Sequence, residues 1–319
     1  MNSIEIKGLK KNFENNVVLR GIDCTVAQGS VHGFLGPNGA GKTTTIKTIL
    51  GLYKADAGEI RLFGKPAQPG SMKTLLAHIG YLPQDPVFPE QYTGIEVMEL
   101  IADLYQVPTK DKVQRIKDLL KRFDLLKAGN RQVKNYSRGM KQRLGLATVW
   151  LPRPKLMILD EPVSALDPEG RFDVLEQIKE LKGESTVFFS SHILSDVERV
   201  SDKITIIGGG QVLLEDSMEN IHGTYVSSAY LLKVPFDKVN DARQMLAGIL
   251  EVTEVTGEDN NLLLQTDSKN VDIVGKKVLA GVLDADIPVI RFSLQEATLE
   301  DVFLQLINGG AKHETNAHA

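Results

Sequence analysis

The sequence lacks the features of several broad protein classes. Its single cysteine, Cys24, excludes a disulfide within the chain and favours a reducing compartment. No apolar run approaches the roughly 18 residues that a membrane-spanning helix needs. The net charge of −4 argues against nucleic acid as the main partner. The first residues are charged and have no apolar core, so we expect no secretory signal.

The composition is that of an ordinary folded protein with room for two domains. Of the 319 residues, 42% are hydrophobic and 24% are charged, which is typical of chains with packed cores. We expect Cys24 to serve as a small buried apolar side chain. The polar tail at 311–319 is predicted to be disordered.

Residues 36–43 follow the pattern of a phosphate-binding loop: glycine, four free positions, glycine, lysine, and then serine or threonine. Glycines let the backbone curl so that successive N–H groups face one anion. Lys42 can reach the β- and γ-phosphates of a nucleotide, and the Thr43 hydroxyl can bind Mg²⁺. The residues predicted to bind the nucleotide here are Gly36, Asn38, Gly39, Ala40, Gly41, Lys42, Thr43 and Thr44.

The segments on either side of this loop favour the same interpretation. Residues 31–35 form an apolar run that predicts a strand, and residues 44–50 predict a helix that ends at Gly51. The positive end of that helix dipole would face the bound phosphates. The alternative is a glycine-rich turn that binds no ligand.

A second motif is the apolar run 156–159, which predicts a buried strand, followed by Asp160 and Glu161. In a chain with a phosphate-binding loop, Asp160 is suited to a Mg²⁺ site. Glu161 could polarise an attacking water as a general base. The alternative is a strand that ends in two solvated acids.

A third motif, residues 136–143, predicts a loop leading into a helix that Pro152 ends. Ser137 and the N–H of Gly139 would then form a second anion site at the helix N-terminus. The alternative is a serine that caps an ordinary amphipathic helix.

These motifs, in this order, resemble those of the nucleotide-binding subunits of ATP-binding cassette (ABC) transporters. Residues 136–140 stand where that family carries its Leu-Ser-Gly-Gly-Gln signature. Further matches are Phe13, for the aromatic residue that stacks on adenine, and Gln84, for the Q-loop glutamine. Asp167 matches the D-loop and His192 the switch histidine. The resemblance covers roughly residues 1–220.

The resemblance implies ATP and Mg²⁺ as cofactors. It places Thr43, Gln84 and Asp160 at the metal, and Glu161, His192 and Gln84 in hydrolysis. Each match also has a plainer interpretation, namely a core aromatic residue (Phe13), a surface amide (Gln84), a helix cap (Asp167) and a histidine satisfied at a strand end (His192).

The signature departs from the family consensus at three positions. Tyr136, Arg138 and Met140 replace leucine, the first glycine and glutamine, while Ser137 and Gly139 are kept. We therefore expect a working signature, with an undefined role for Arg138.

The resemblance also implies partners. Each ATP would lie between the phosphate-binding loop of one chain and the signature of another, so a second copy of the chain in a head-to-tail dimer is expected. A separate polytopic membrane permease would contact a helical subdomain at about 85–152, for which helices at 95–104 and 113–126 are predicted. The chain would then be cytoplasmic, on the inner face of the cell membrane, and would bind no nucleic acid.

The predicted fold is an α/β P-loop ABC ATPase core with a helical subdomain, plus a small α+β domain at 221–310. In that domain, strands at 230–234, 251–255, 262–266 and 288–293 and helices at 237–249 and 270–283 predict a ferredoxin-like split βαβ unit. A last helix at 299–307, capped by Thr298, resembles the end of the accessory domain common in the exporter branch that the signature also resembles. That branch exports drugs, lantibiotics or lipid-linked polymers, or pumps sodium. A stabilising or dimer-contacting role is expected for this domain, and the alternative is a regulatory or ligand-sensing role.

Four functions fit these observations to different degrees. An exporter motor subunit is favoured by the sequence of the signature motif and by the predicted accessory domain. A soluble cassette ATPase acting on nucleic acid or ribosomes usually has two cassettes or a long coiled-coil insertion, and neither is visible. A non-hydrolysing switch conflicts with the presence of Glu161 and His192. An importer subunit is the closest variant of the first function.

Overall fold

The computed structural model describes residues 1–14, 16–225, 229–257, 259–266, 271–295 and 299–300. It divides into two compact units, Met1–Met218 and one that begins at Glu219. None of the helices in the described ranges is long and apolar enough to cross a bilayer.

The first unit is built on a six-stranded sheet with the order β10-β9-β3-β8-β7-β6. All neighbours in it are parallel except the hairpin of β9 and β10. Strands β3, β7 and β8 are buried at every residue, because their continuous apolar runs suit a sheet that is covered on both faces. The strands are β3 (Val31–Leu35), β6 (Ile79–Leu82), β7 (Leu156–Asp160), β8 (Thr186–Ser191), β9 (Lys203–Gly208) and β10 (Gln211–Ser217).

A second, antiparallel sheet has the order β2-β1-β4-β5. Its alternating apolar residues, such as Ile4 and Ile6 on β1, pack in one core with Phe34, Phe188 and Ile46. This packing fixes the first helix, and with it the phosphate-binding loop, against both sheets. The strands are β1 (Asn2–Phe13), β2 (Asn16–Ala27), β4 (Ala57–Leu62) and β5 (Lys65–Pro66).

Three helices in this unit begin at polar side chains that cap them. Ser137 and Asp167 each accept a hydrogen bond from the backbone of the helix that follows, and Thr93 forms a capping box with Glu96. The helices of the first unit are α1 (Lys42–Ile49), α2 (Pro69–Leu76), α3 (Gly94–Leu104), α4 (Thr109–Arg122), α5 (Arg138–Trp150), α6 (Pro168–Glu180) and α7 (Leu194–Val200). Helix α8 (Met218–Tyr225) begins at the last residue of the first unit and continues in the second.

The prediction of a helix at 113–126 was displaced by four residues at each end. Helix α4 begins directly after Pro108, whose fixed φ suits the approach to a helix. It ends before Asp124, which has a left-handed φ of 53°. A short 3-10 turn at Leu126–Ala128 then continues the apolar pattern beyond the helix.

The second unit has the predicted order of strands and helices. Its four-stranded antiparallel sheet runs β12-β13-β11-β14, which is the strand order of a split βαβ unit. Leu232, Leu262 and Val278 lie in its core. The elements are β11 (Ala229–Lys233), α9 (Val239–Leu246), β12 (Val252–Thr256), β13 (Asn261–Thr266), α10 (Val271–Asp284) and β14 (Arg291–Gln295).

Two elements in the second unit, α9 and β14, differ from the prediction by more than one residue. A 3-10 turn at Phe236–Lys238 precedes α9, which ends at Leu246 instead of residue 249. Strand β14 begins at Arg291, three residues later than predicted. The predicted cap at Thr298, most of the last helix at 299–307 and the tail at 311–319 lie outside the described residues.

Candidate nucleotide-binding and catalytic site

The phosphate-binding loop joins the end of β3 to the start of α1, as predicted. Gly39 and Gly41 have φ values of 82° and 106°, which L-residues with side chains rarely adopt. At Gly36, a Cβ atom would lie 2.4 Å from the carbonyl oxygen of Ile207, so any residue other than glycine would clash with the neighbouring strand. These three glycines therefore set the path of the loop.

The amine of Lys42 lies inside this loop. Its Nζ donates hydrogen bonds to the carbonyl oxygens of Gly36 (2.7 Å) and Pro37 (3.2 Å), and it lies 3.6 Å from Oε1 of Glu161. Burial lowers the pKa of Lys42, whereas the carboxylates of Glu161 and Asp160 oppose that shift. A cation is thus held between the loop and the acid that follows β7.

The side chain of Glu161 is the meeting point of the predicted catalytic residues. One carboxylate oxygen, Oε1, lies 3.2 Å from Nδ1 of His192. The other, Oε2, accepts a hydrogen bond of 3.3 Å from Nε2 of Gln84. Gln84, an exposed amide, and His192, directly after β8, therefore both contact the same carboxylate. Lys42, Glu161, Gln84 and His192 form one cluster.

The backbone of Glu161 has an uncommon conformation that its neighbours hold. Its φ is 47°, in the left-handed region. Its N–H donates to Oγ of Ser190 at 3.0 Å, and its carbonyl oxygen accepts from Oγ of Ser164 at 3.1 Å. These bonds fix the direction in which the carboxylate points.

Ser190 is a site residue that the sequence did not reveal. It is completely buried, and its Oγ donates a 2.6 Å hydrogen bond to Oδ1 of Asp160 while accepting from Glu161. The parallel register places Ser190 beside Asp160 on one side and Phe34 on the other. Only that register reveals the role, because a serine two residues before His192 has no distinctive local pattern.

The signature segment lies apart from the phosphate-binding loop. Ser137 caps α5 by accepting a hydrogen bond from Met140 N at 3.2 Å. Gly139 faces the D-loop, since a Cβ there would lie 3.2 Å from the carbonyl oxygen of Ala165. Among the described residues, no hydrogen bond or ion pair joins Ser137 or Gly139 to residues 36–43.

Arg138, the departure from the consensus, reaches towards the Q-loop. Its Nε and NH2 lie 3.2 and 2.8 Å from Oδ1 of Asp85, the residue after Gln84. The signature and the Q-loop of one chain are therefore joined by an exposed ion pair.

Phe13 and Asp167 lie outside the cluster around Glu161. Phe13 is 38% exposed at the end of β1 and meets Tyr53 edge-on, with ring centroids 5.2 Å apart, so it is not a core residue. Asp167 caps α6 through a 3.3 Å bond from Gly170 N, which confirms the plainer interpretation of a cap.

Comparison with known proteins agrees with these motifs. A family model described as ABC transporter matches residues 19–164. An uncharacterized ABC transporter ATP-binding protein of Bacillus subtilis is 32% identical over 96% of this chain and 99% of its own length. The daunorubicin resistance ATP-binding protein of Streptomyces coeruleorubidus is 31% identical over 95% of both chains.

A solved structure gives the same result for the fold. It is described as the ATP-binding subunit of an ABC transporter, and it is 31% identical with a TM-score of 0.64, covering 70% of this chain and 92% of that one. One assignment follows from the phosphate-binding loop, from the cluster of acid, glutamine and histidine, and from the relatives that match this chain over almost its whole length. The chain belongs to the family of ABC transporter ATP-binding proteins.

Proposed function

We propose that this chain is the ATP-binding and hydrolysing motor subunit of an ABC exporter. The observation that carries the proposal is the carboxylate of Glu161, held between Lys42, Gln84 and His192. Export is supported by the full-length similarity to a drug-resistance protein of this family. The absence of a membrane-spanning helix among the described residues fits a separate permease.

Nucleotide binding follows from the geometry of the loop. Its backbone N–H groups and the start of α1 would surround the β- and γ-phosphates of ATP. Lys42 would exchange its bonds to the Gly36 and Pro37 carbonyls for bonds to phosphate oxygens, which are stronger because both partners are charged. The exposed face of Phe13 would stack on the adenine.

The residues around Asp160 fit a magnesium ion bound together with the nucleotide. Thr43 offers a hydroxyl, Gln84 an amide oxygen and Asp160 a carboxylate, which are the oxygen donors that Mg²⁺ prefers. The described residues contain no group of three or more His, Cys, Asp and Glu side chains that could hold a metal alone. That fits an ion whose other ligands are phosphate oxygens and water. When bound, it would neutralise charge on the phosphates.

Hydrolysis would use Glu161 as the general base. The carboxylate accepts a proton from a water molecule as the water oxygen bonds to the γ-phosphorus and the bond to the bridging oxygen breaks. The His192 imidazole, 3.2 Å from the carboxylate, would orient the acid and contact the γ-phosphate. Lys42 would offset the negative charge that develops on the leaving ADP.

We infer that two copies of the chain close around two ATP molecules. Ser137 and Gly139 lie at a helix N-terminus that has no bond to its own phosphate-binding loop, so they are available to the nucleotide of a second copy. A two-fold dimer satisfies both sites at once. The permease would contact the helical subdomain, which places the chain on the cytoplasmic face of the membrane.

The test is the Glu161→Gln variant, which keeps the size of the side chain and removes the base. We expect ATP hydrolysis to fall by about 10²–10⁴-fold, the usual contribution of a general base. ATP binding should persist, and an ATP-dependent dimer should accumulate on a sizing column. The exposed Glu99→Gln provides the control. Full hydrolysis by the Glu161 variant would contradict the assignment of the base, and a monomer at saturating ATP would contradict the dimer.

The export half of the proposal needs a separate experiment. The tagged Glu161→Gln chain is incubated with ATP and recovered from detergent-solubilised membranes of its host. Co-purification of a polytopic membrane protein supports the motor role. A chain that is absent from the membrane fraction and brings down only soluble factors would overturn it.

A further inference from the structure

A cavity of about 830 Å³ lies away from the residues discussed so far. Its walls come from α4, the last residue of α5, the turn after it, the start of β7 and the segment after α6. Met157 of β7 lines it, whereas Asp160 at the other end of the same strand belongs to the nucleotide site. The cavity therefore lies at the opposite end of the strand from the nucleotide site, and it shares no residue with that site.

The charges around this cavity are mainly positive. Two carboxylates, Asp118 and Glu184, face four cations. Asp118 already accepts a hydrogen bond from Gln114. The cations are Arg115, Lys121, Arg122 and Arg153.

Two of the four cations have internal partners and two do not. Arg122 forms an ion pair with Glu180 and covers the ring of Trp150 at 4.4 Å. Arg115 donates to the carbonyl oxygen of Leu151. Within the described ranges, no side-chain hydrogen bond or ion pair is made by Lys121 or Arg153.

Arg115 and Arg153 line the same cavity with like charge. Burial lowers the pKa of Arg115, and the positive charge of Arg153 lowers it further. Arg153 has a left-handed backbone with φ 53°, a conformation that long side chains adopt rarely. The fold therefore places two like charges in one cavity, and the carboxylate of Asp111 opposes the effect of Arg153 on Arg115 only in part.

The floor of the cavity is apolar. Buried side chains of Leu119, Pro154, Met157 and Leu181 form it, and the ring of Trp150 forms part of the wall. Its volume is within the range of roughly 300–1,000 Å³ that small-molecule sites occupy. A ligand that suits it has a compact apolar body and a doubly charged head.

We propose that this cavity binds a phosphomonoester, with the phosphate between Arg115, Lys121 and Arg153 and the apolar body on Leu119, Met157 and Leu181. A phosphate dianion matches the forked donors of arginine and neutralises the like positive charges of Arg115 and Arg153. The phosphate belongs either to a free metabolite or to a lipid headgroup. The cavity contacts both the end of α5, whose first turn carries the signature, and the strand that leads to Glu161.

The chain contains a built-in probe for this site, because Trp150 is its only tryptophan. The full-length protein is titrated with phenyl phosphate at constant ionic strength, with excitation at a wavelength that selects tryptophan. A parallel titration uses vesicles that contain phosphatidic acid, against vesicles of phosphatidylcholine. Excess ADP keeps the phosphate-binding loop filled. We expect a saturable change in fluorescence that ADP does not displace.

Variants separate this site from general charge effects. Arg153→Ala and Lys121→Ala should each raise the dissociation constant about ten-fold or more, as expected for the loss of a charged hydrogen bond. Lys117→Ala removes a cation from α4 that does not line the cavity, and it should bind like the parent chain. Circular dichroism checks that each variant is folded.

Each outcome decides the proposal. Saturable binding of phenyl phosphate that Arg153→Ala weakens supports a free phosphomonoester, and a response to phosphatidic acid alone supports a lipid headgroup. No saturable response to either probe overturns the proposal. Equal weakening by Arg153→Ala and Lys117→Ala, or displacement by ADP, also overturns it.

Discussion

Replacement of Ser190 by alanine tests how Asp160 and Glu161, the two acids proposed for the site, are held in place. The Ser190 hydroxyl is the buried donor to Asp160 at 2.6 Å and the acceptor for the N–H of Glu161 at 3.0 Å. A buried N–H left without a partner costs about 1–3 kcal/mol, and a hydrogen bond to a charged group contributes about 1.5–3 kcal/mol. Because some relaxation follows, we expect Ser190→Ala to lower the free energy of unfolding by about 2–5 kcal/mol.

The same substitution should impair hydrolysis more than ATP binding. Without its hydrogen bond to Ser190, the left-handed backbone of Glu161 can relax, and the carboxylate then moves away from His192 and Gln84. We expect the turnover rate to fall about ten-fold or more, as for a catalytic group displaced by about an ångström. The loop at 36–43 has no bond to Ser190, so ATP affinity should change little.

A second buried serine provides the matched control. Ser185 precedes the same strand, and its Oγ donates a 2.8 Å bond to the Pro154 carbonyl, far from the acids. Ser185→Ala should cost about 1 kcal/mol and leave the turnover rate unchanged. Urea unfolding and steady-state ATPase assays on both variants measure these effects. If Ser190→Ala matched Ser185→Ala in both assays, the proposed support of Glu161 would be refuted.

Three further predictions concern groups outside the catalytic cluster. Arg138→Asp and Asp85→Arg should each change the ATPase rate by about two- to five-fold, the range for an exposed ion pair. The double variant, in which both charges are reversed, should restore the rate, and additive effects would mean that the pair has no role. The fully buried His32 has its pKa lowered by burial from 6.5 to about 3, so protons bind it only when the chain unfolds, and stability should fall by about 1.4 kcal/mol per pH unit below pH 6.5. Urea unfolding at several pH values should show this slope reduced in His32→Gln and kept in the exposed His78→Gln. Burial raises the pKa of Cys24 to about 12, so a thiol reagent should label it only at the rate of unfolding; rapid labelling of the native chain would contradict its burial.

The parts of the fold that the sequence predicted best are those with a local cause. Residues 31–35 and 156–160 are strands because continuous apolar runs of that length suit a sheet buried on both faces. The caps Ser137 and Asp167 act within three residues of themselves. The cluster at Glu161 could be predicted as well, because its members lie in motifs whose order is informative.

Long-range pairing explains what the sequence could not predict. The contact of Ser190 with Asp160 depends on the register of β7 and β8, and 30 residues separate them. The basic cavity collects cations from 115 to 153 with no periodic pattern. The end of α4 was missed for a different reason. The apolar pattern continues to Leu126, although Asp124 has a left-handed φ that does not continue the helix.

The geometry of Glu161 depends both on local backbone preference and on long-range strand pairing. A glutamate with φ of 47° is strained by about 1 kcal/mol or more, so its own preference opposes the conformation that directs it at Gln84 and His192. The hydroxyls of Ser190 and Ser164 overcome that preference, one from the neighbouring strand and one from the loop that leads to Asp167. If two copies close as proposed, a shift of the D-loop would act through Ser164 on the backbone of Glu161, the proposed general base. In the proposed dimer, closure would therefore be linked to the proposed base through one hydrogen bond.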